Sequence, residues 1–266
     1  MFSKRQACIS SKYLRRASSV IINKFLSQTY FDPSWDQLLR AGLAKIDAHY
    51  LEDLLKQPCW LPGINHIFNA FSLPIDQVKY ILVGESPYPR VQSANGYAFW
   101  DQNIDNLWSP TGLSKEANKA TSFRNIIKTL LVAENLLDKN STTQENIKNI
   151  DKTHLIKTNQ EFFDKLLNQG FLLLNASLVL RQGKTNLKQD AKQWLLFFEE
   201  VMKQLLLKNI NLKLLLFGKI ALEVNKLLGQ NLAKNSLVAE HPYNLSFINN
   251  QEVIDFFRPF GLLKIA

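Results

Sequence analysis

The residues with chemical capacity stand in four short segments. Gly84-Glu85-Ser86-Pro87-Tyr88-Pro89-Arg90 offers a carboxylate, a hydroxyl and a phenol, and Asn175-Ala176-Ser177 offers an amide and a hydroxyl. Gly218 stands by itself, and His241-Pro242-Tyr243-Asn244-Leu245-Ser246 brings an imidazole. Each segment comes after a short apolar run: Val78 to Val83, Phe171 to Leu174, Leu212 to Phe217, and Leu237 to Ala239. Such runs read as buried strands of a parallel sheet. In an open parallel sheet, sites form beyond the carboxyl ends of the strands, so the four segments are expected to meet along one edge. Taken singly, the residues are ambiguous. An Asn directly after a strand is commonly a cap or turn former, and a His before Pro is commonly a turn residue. Phe99 reads as core and Tyr88 as surface. Ser86 carries no charge and is a poor base, whereas Glu85 supplies a carboxylate.

Composition narrows the chemistry. The two cysteines, Cys8 and Cys59, lie far apart, and the four histidines (His49, His66, His154, His241) lack metal-type spacing. A disulfide scaffold is not expected, nor is a metal site or a cofactor. No apolar run reaches the ~18 residues a membrane span needs, so no membrane partner is expected. An intracellular, cytoplasmic setting is the default. The 266 residues are 46% hydrophobic, enough for a sizeable core. Lys and Arg number 32 against 23 Asp and Glu, a formal +9 that leans towards a polyanionic partner.

The elements that must position these residues alternate along the chain. Trp35, Leu38, Leu39 and Leu43 begin a helical pattern that continues through Leu51, Leu54 and Leu55. Gln57 to Gly63 breaks it. Further helical faces are formed by Phe123, Ile126, Ile127, Leu130 and Leu131, by Trp194, Phe198, Val201, Met202 and Leu205, and by Ile220 to Leu228 before Gly229. Thr158 and Glu161 have capping-box spacing, and Gly170 is placed to end the helix they start. Asp138 to Thr158 is polar and Asn-rich and reads as an insert or long loop. Strands alternating with helices imply an α/β class: a three-layer α/β/α fold with a central, mostly parallel four-stranded sheet. Residues 1–31 carry Lys4, Arg5, Lys12, Arg15, Arg16 and Lys24 and no acid. They are set apart as a basic N-terminal extension, with the α/β domain at 32–266. An organelle transit peptide is one reading of the extension. An amphipathic helix packed on the domain is preferred, since Val20, Ile21, Ile22, Phe25 and Leu26 are suited to packing.

The segments GESPYP, GYAFWD, LLLNASLVLR and HPYNLS, in this order, resemble the motifs of the uracil-DNA glycosylase superfamily, closest to its family 1. The resemblance runs from about Trp35 to Phe260. It implies an enzyme that flips uracil out of DNA and hydrolyses its N-glycosidic bond in base excision repair, since the bond is unreachable inside the stack. It further implies that Phe99 stacks on the base, Asn175 reads its edge and Tyr88 excludes the thymine methyl. His241 would donate to the uracil O2 as charge develops on the leaving base. Leu245 would fill the vacated hole, and Ser122 and Ser246 would bind flanking phosphates. Pro62 and Pro242 would belong to loops that press on the DNA backbone.

This chain departs from the family pattern where Asp is expected, at Ser86. The family Asp positions water and stabilises the cationic sugar, and its loss is expected to cost about 10²–10⁴ in rate. Glu85 replaces a Gln and Pro89 a His; Tyr243 and Asn244 replace Ser and Pro. The catalytic set implied is therefore Ser86, His241 and Glu85, acting on uracil or another modified pyrimidine in single- or double-stranded DNA, in a monomer. The alternative is a catalytically weak homologue that binds DNA or a protein.

Overall fold

The computed structural model describes residues 19–57, 59–229 and 234–265. The first 18 residues, and with them most of the basic extension, lie outside the described residues. A helix at 19–26 (α1) is followed by α2 (Asp36–Leu43) and α3 (Ala48–Lys56). Strand β1 (Tyr80–Gly84) precedes a small hairpin of β2 (Trp108–Ser109) and β3 (Gly112–Leu113). Then come α4 (Lys115–Lys119), α5 (Thr121–Ala133), α6 (Gln144–Lys148), α7 (Asn159–Asn168) and β4 (Phe171–Asn175). The chain continues through α8 (Lys184–Lys208), β5 (Lys213–Phe217), α9 (Ile220–Leu228), β6 (Ser236–Ala239) and α10 (Gln251–Phe257).

The main sheet has four strands in the order β4-β1-β5-β6, every pairing parallel. Its strands are nearly continuous apolar runs because helices cover both faces. Ile81, Val83, Leu172, Leu174, Leu214 and Leu216 face a core built with α2, α3, α8 and α9. Leu82, Phe171, Leu173, Leu215 and Phe217 face a second core built with α5, α7 and α10. The three-layer α/β/α architecture expected from sequence is the one observed.

Connectivity opens a crevice. After β1 the chain crosses the α5–α7 face to reach β4, and after β4 it crosses the α8 face to reach β5. Strand β1 therefore leaves towards one face while its neighbours β4 and β5 leave towards the other. Such a switch point parts the loops above the strand ends.

Two local expectations hold in detail. Thr158 Oγ1 accepts from the Glu161 N–H at 3.1 Å, while Glu161 Oε2 accepts from the Thr158 N–H at 2.8 Å, completing the capping box of α7. Gly170 sits at φ 89°, and a Cβ there would fall 2.6 Å from the Gln77 carbonyl. One expectation is corrected. Asp138 to Thr158 is not a free loop, because it contains α6 with Ile147 buried, and Leu155 and Ile156 also join the core. Gln144 Oε1 accepts from the Leu113 N–H at 2.9 Å, tying α6 to the hairpin. Polar residues mask this anchorage, since only a few apolar side chains carry it. Before Asp32, Phe25 and Leu26 of α1 are buried in the same core as Trp35, with Phe25 stacked on Trp60.

Candidate active site

Strand β1 ends at Gly84, where a side chain would meet the Asn175 amide and come within 2.9 Å of the Ala98 Cβ. The missing side chain lets the amide stand against the strand end. Beyond Gly84 the parallel ladder continues, with Ala176 and Ser177 N–H groups donating to the Gly84 and Glu85 carbonyls at 2.8 and 2.9 Å. Pro87 is buried, while Glu85 and Ser86 are exposed. The loop is pinned further on by Arg90, whose guanidinium meets the Asp101 carboxylate at 2.8 Å; Asp101 is only 2% exposed.

Tyr88 donates its hydroxyl to the Phe99 carbonyl at 3.2 Å. Burial, and then the nearby Asp101 charge, hold the phenol far above its ordinary pKa, so it remains a neutral donor. Phe99 has φ 63°, a left-handed conformation that bulky residues rarely adopt. Such strain costs about 1–3 kcal/mol and gathers at functional sites. It sets the Phe99 ring 6.4 Å from the His241 ring, inclined by 33°.

Asn175 is 3% exposed, yet its side-chain amide makes no hydrogen bond to the protein among the described residues. A buried amide is ordinarily paired. Here it opens on a cavity of about 250 Å³ that Glu85, Ser86, Tyr88, Phe99, Ser122 and His241 also line. The neutral His241 ring has a defined tautomer. Its Nδ1 accepts from the Tyr243 N–H at 3.1 Å, which leaves the proton on Nε2. Burial lowers the His241 pKa, and the Glu85 charge opposes that effect in part. The cavity thus combines an aromatic face, an unpaired amide, a neutral imidazole donor and a phenol.

The His241–Ser246 loop is held from below. Asn125, fully buried on α5, donates to the Pro242 carbonyl at 2.7 Å and the Asn244 carbonyl at 3.3 Å. Thr129, one turn on, donates its hydroxyl to the Asn125 carbonyl at 2.8 Å, with the Phe247 carbonyl 3.4 Å away. Gly218 lies behind His241 at φ 83°, where a Cβ would sit 2.7 Å from the His241 Cβ. The result displays Leu245, 68% exposed, at the rim. Ser246 is also exposed. Ser122 lies in the first turn of α5, which has no side-chain cap.

Of the residues expected at the site, Glu85, Ser86, Tyr88, Phe99, Ser122, Asn175 and His241 come together in one cavity, with Leu245 and Ser246 on its rim loop. Pro62 and Pro242 are different, because both are buried and neither ring is presented to a ligand. Pro242 is drawn inward by Asn125, and Pro62 comes after Leu61, which exchanges two hydrogen bonds with Leu180 at 3.0 and 2.9 Å. Their place is in shaping the loops. Asn125 escaped sequence reading. Its signal was a polar pair, Asn125 and Thr129, spaced one turn apart on an otherwise apolar stripe. Among the described residues no group of three or more His, Cys, Asp or Glu is placed to hold a metal ion.

The protein is a three-layer parallel α/β domain with a small pocket of aromatic and hydrogen-bonding groups at its switch point, the place where this class of domain forms its sites. Comparison with known proteins narrows the class. A UNG crystal structure from Nitratifractor salsuginis is 35% identical, covers 97% of this chain and 98% of its own, and superposes with a TM-score of 0.83. The uracil-DNA glycosylase of Campylobacter hominis is 29% identical over 83% of this chain and 83% of its own. That of Lactobacillus acidophilus is 28% identical over 78% and 77% respectively. No family model matches the chain. The chain belongs to the uracil-DNA glycosylase superfamily.

Proposed function

We propose that the protein hydrolyses the N-glycosidic bond of uracil in DNA, as a monofunctional glycosylase of base excision repair. The observation that carries this reading is the buried, unpartnered Asn175 amide facing the cavity that Phe99 and the Nε2–H tautomer of His241 also line. The amide presents one acceptor and two donors, which complement the N3–H and O4 of uracil. Phe99 offers a stacking face, and Tyr88 stands where a 5-methyl group would enter. In the reaction the C1′–N1 bond breaks, the electron pair leaves with the base, and water adds to C1′ with loss of a proton. His241 Nε2–H stabilises the negative charge at O2, a preorganised donation worth about 10²–10³ in rate. Leu245 fills the space that the flipped nucleotide vacates. The hydroxyls of Ser122 and Ser246 engage phosphates at the rim, and Glu85 and Ser86 stand at the sugar.

The reading places the glycosylase domain at 32–266, with 1–31 as a basic extension whose α1 packs on the domain. It takes the enzyme to be a cytoplasmic monomer. Among the described residues no helix is long and apolar enough to cross a membrane. The exposed hydroxyl of Ser86, in place of a carboxylate, favours a second reading, a weakly catalytic homologue that binds DNA. The deciding experiment incubates the protein with single-stranded and duplex oligonucleotides containing uracil, then cleaves abasic sites with alkali. Strand breaks at uracil that vanish in Asn175→Ala support the glycosylase; DNA binding without breaks supports the second reading.

A further inference from the structure

A second cavity of about 310 Å³ adjoins the base pocket and shares two of its residues, Glu85 and Ser86. The two lie on opposite faces of the same sheet edge. Successive residues of an extended strand point to opposite faces. Asn175 therefore projects with Phe171 and Leu173 towards the α5 side, into the base pocket. Ala176 projects with Leu172 and Leu174 towards the α8 side, into the second cavity. The walls of that cavity are aliphatic: Ala176, Leu180, Leu187, Ala191, Leu195 and Ile220. Leu187, in the first turn of α8, is 41% exposed at its mouth.

The polar groups of the second cavity differ in their commitments. Both carboxylate oxygens of Asp190 are used, accepting from the Tyr50 hydroxyl and from the Arg181 N–H and Nε, each at 2.8 Å. The side chains of Glu223 and Lys219, both exposed on the outer side, make no hydrogen bond or ion pair among the described residues. An aliphatic slot with an unpaired carboxylate acceptor matches a nucleobase that bears an exocyclic amine, as in carboxylate readout of cytosine N4. The Lys219 ammonium suits the phosphate that joins such a base to the next nucleotide.

Resting on the glycosylase reading, we infer that the second cavity receives the nucleotide adjacent to the flipped uridine in the same strand, with Glu223 selecting an amino-bearing base over thymine. The shared Glu85–Ser86 wall carries this assignment. A strand whose base enters the first pocket has its sugar at that wall, and one nucleotide step over the wall leads into the second cavity. The arrangement confers a sequence context on an enzyme whose chemistry needs only uracil, and it favours unpaired strands, whose bases are free to leave the stack.

The test uses single-stranded oligonucleotides with one uracil and A, C, G or T placed next to it, on the 5′ side in one series and the 3′ side in the other. Relative kcat/KM for uracil release is expected to favour amino-bearing neighbours over T by about three- to tenfold, on one side only, the size of one net hydrogen bond. The ratio should fall to about one in Glu223→Gln and in Ala191→Phe, which fills the slot. Equal release for all neighbours on both sides overturns the inference, as does a preference that survives both substitutions. A parallel binding series carries 2-aminopurine as the neighbour. Its emission should rise on binding, on that same side only, and Ala191→Phe should abolish the rise. If no oligonucleotide loses uracil, the glycosylase reading fails, and this emission series alone decides the second cavity: a one-sided rise lost in Ala191→Phe sustains it, and no rise removes it.

Discussion

Restoring a carboxylate at position 86 tests how this site manages the charge of the departing sugar. Ser86 is exposed at the mouth of the base pocket, on the wall it shares with Glu85. A unit negative charge about 4 Å from a developing cation contributes about 4 kcal/mol at the effective dielectric of a protein surface. Solvent access at Ser86 reduces that figure, and only the part realised in the transition state speeds the reaction. A gain of about 1.4–4 kcal/mol corresponds to about 10–10³ in rate. Ser86→Asp is therefore expected to raise single-turnover uracil release by about 10- to 10³-fold, with DNA affinity less affected. The adjacent Glu85 opposes this, since two neighbouring carboxylates resist joint ionisation. Glu85→Gln combined with Ser86→Asp removes the repulsion and should give the larger gain. If neither the single nor the double variant raises release while fold and DNA binding persist, a missing carboxylate is not what limits the enzyme. If Glu85→Gln by itself abolishes release, Glu85 already performs the carboxylate's work. The same variants move the acid limb of the pH profile. Protonation of His241 at Nδ1 would set two donors against each other at the Tyr243 N–H. The acid limb of release should accordingly lie at lower pH than an ordinary histidine would give, because burial lowers the His241 pKa. The Glu85 charge raises that pKa, so Glu85→Gln should move the limb to lower pH and Ser86→Asp to higher pH. A limb unmoved by either substitution would detach His241 from the profile.

Leu245→Ala should lower release from duplex uracil more than from single-stranded uracil, since a single strand has no stack to hold open; equal losses in a side-by-side kinetic assay would reduce Leu245 to a packing role. Gly218→Ala places a methyl group against His241 at a φ of 83°, and should lower stability by about 1–3 kcal/mol in a denaturant titration while also slowing uracil release. Unchanged stability and kinetics would show that the His241 loop does not depend on this close approach. DNA affinity should fall steeply with salt, as expected of a chain with a formal charge of +9 that releases counterions from DNA. A flat dependence between low and physiological salt, measured by fluorescence anisotropy, would remove the electrostatic face.

Much of this protein is legible along the chain because the decisive signals are contiguous. A buried parallel strand is a short apolar run, and the residues just after it must lie at the carboxyl edge of the sheet. That rule alone brings Glu85, Ser86, Asn175 and His241 to one place. The Thr158–Glu161 cap is equally local, because both partners lie within one turn. The features that chain order conceals depend on packing between distant segments. Asn125 secures a carbonyl 117 residues away, and the polar pair it forms with Thr129 on an apolar stripe does not say which distant segment it will hold. The burial of Pro62 and Pro242 is set by the segments their loops pack against, which residue type does not reveal. The proton on His241 Nε2 is set by a backbone N–H that meets Nδ1 only when the turn closes. The left-handed Phe99 and the second cavity are likewise tertiary facts. A backbone can be held in a costly conformation, or a void left between α8, α9 and the strand ends, only when the surrounding layers are already in place.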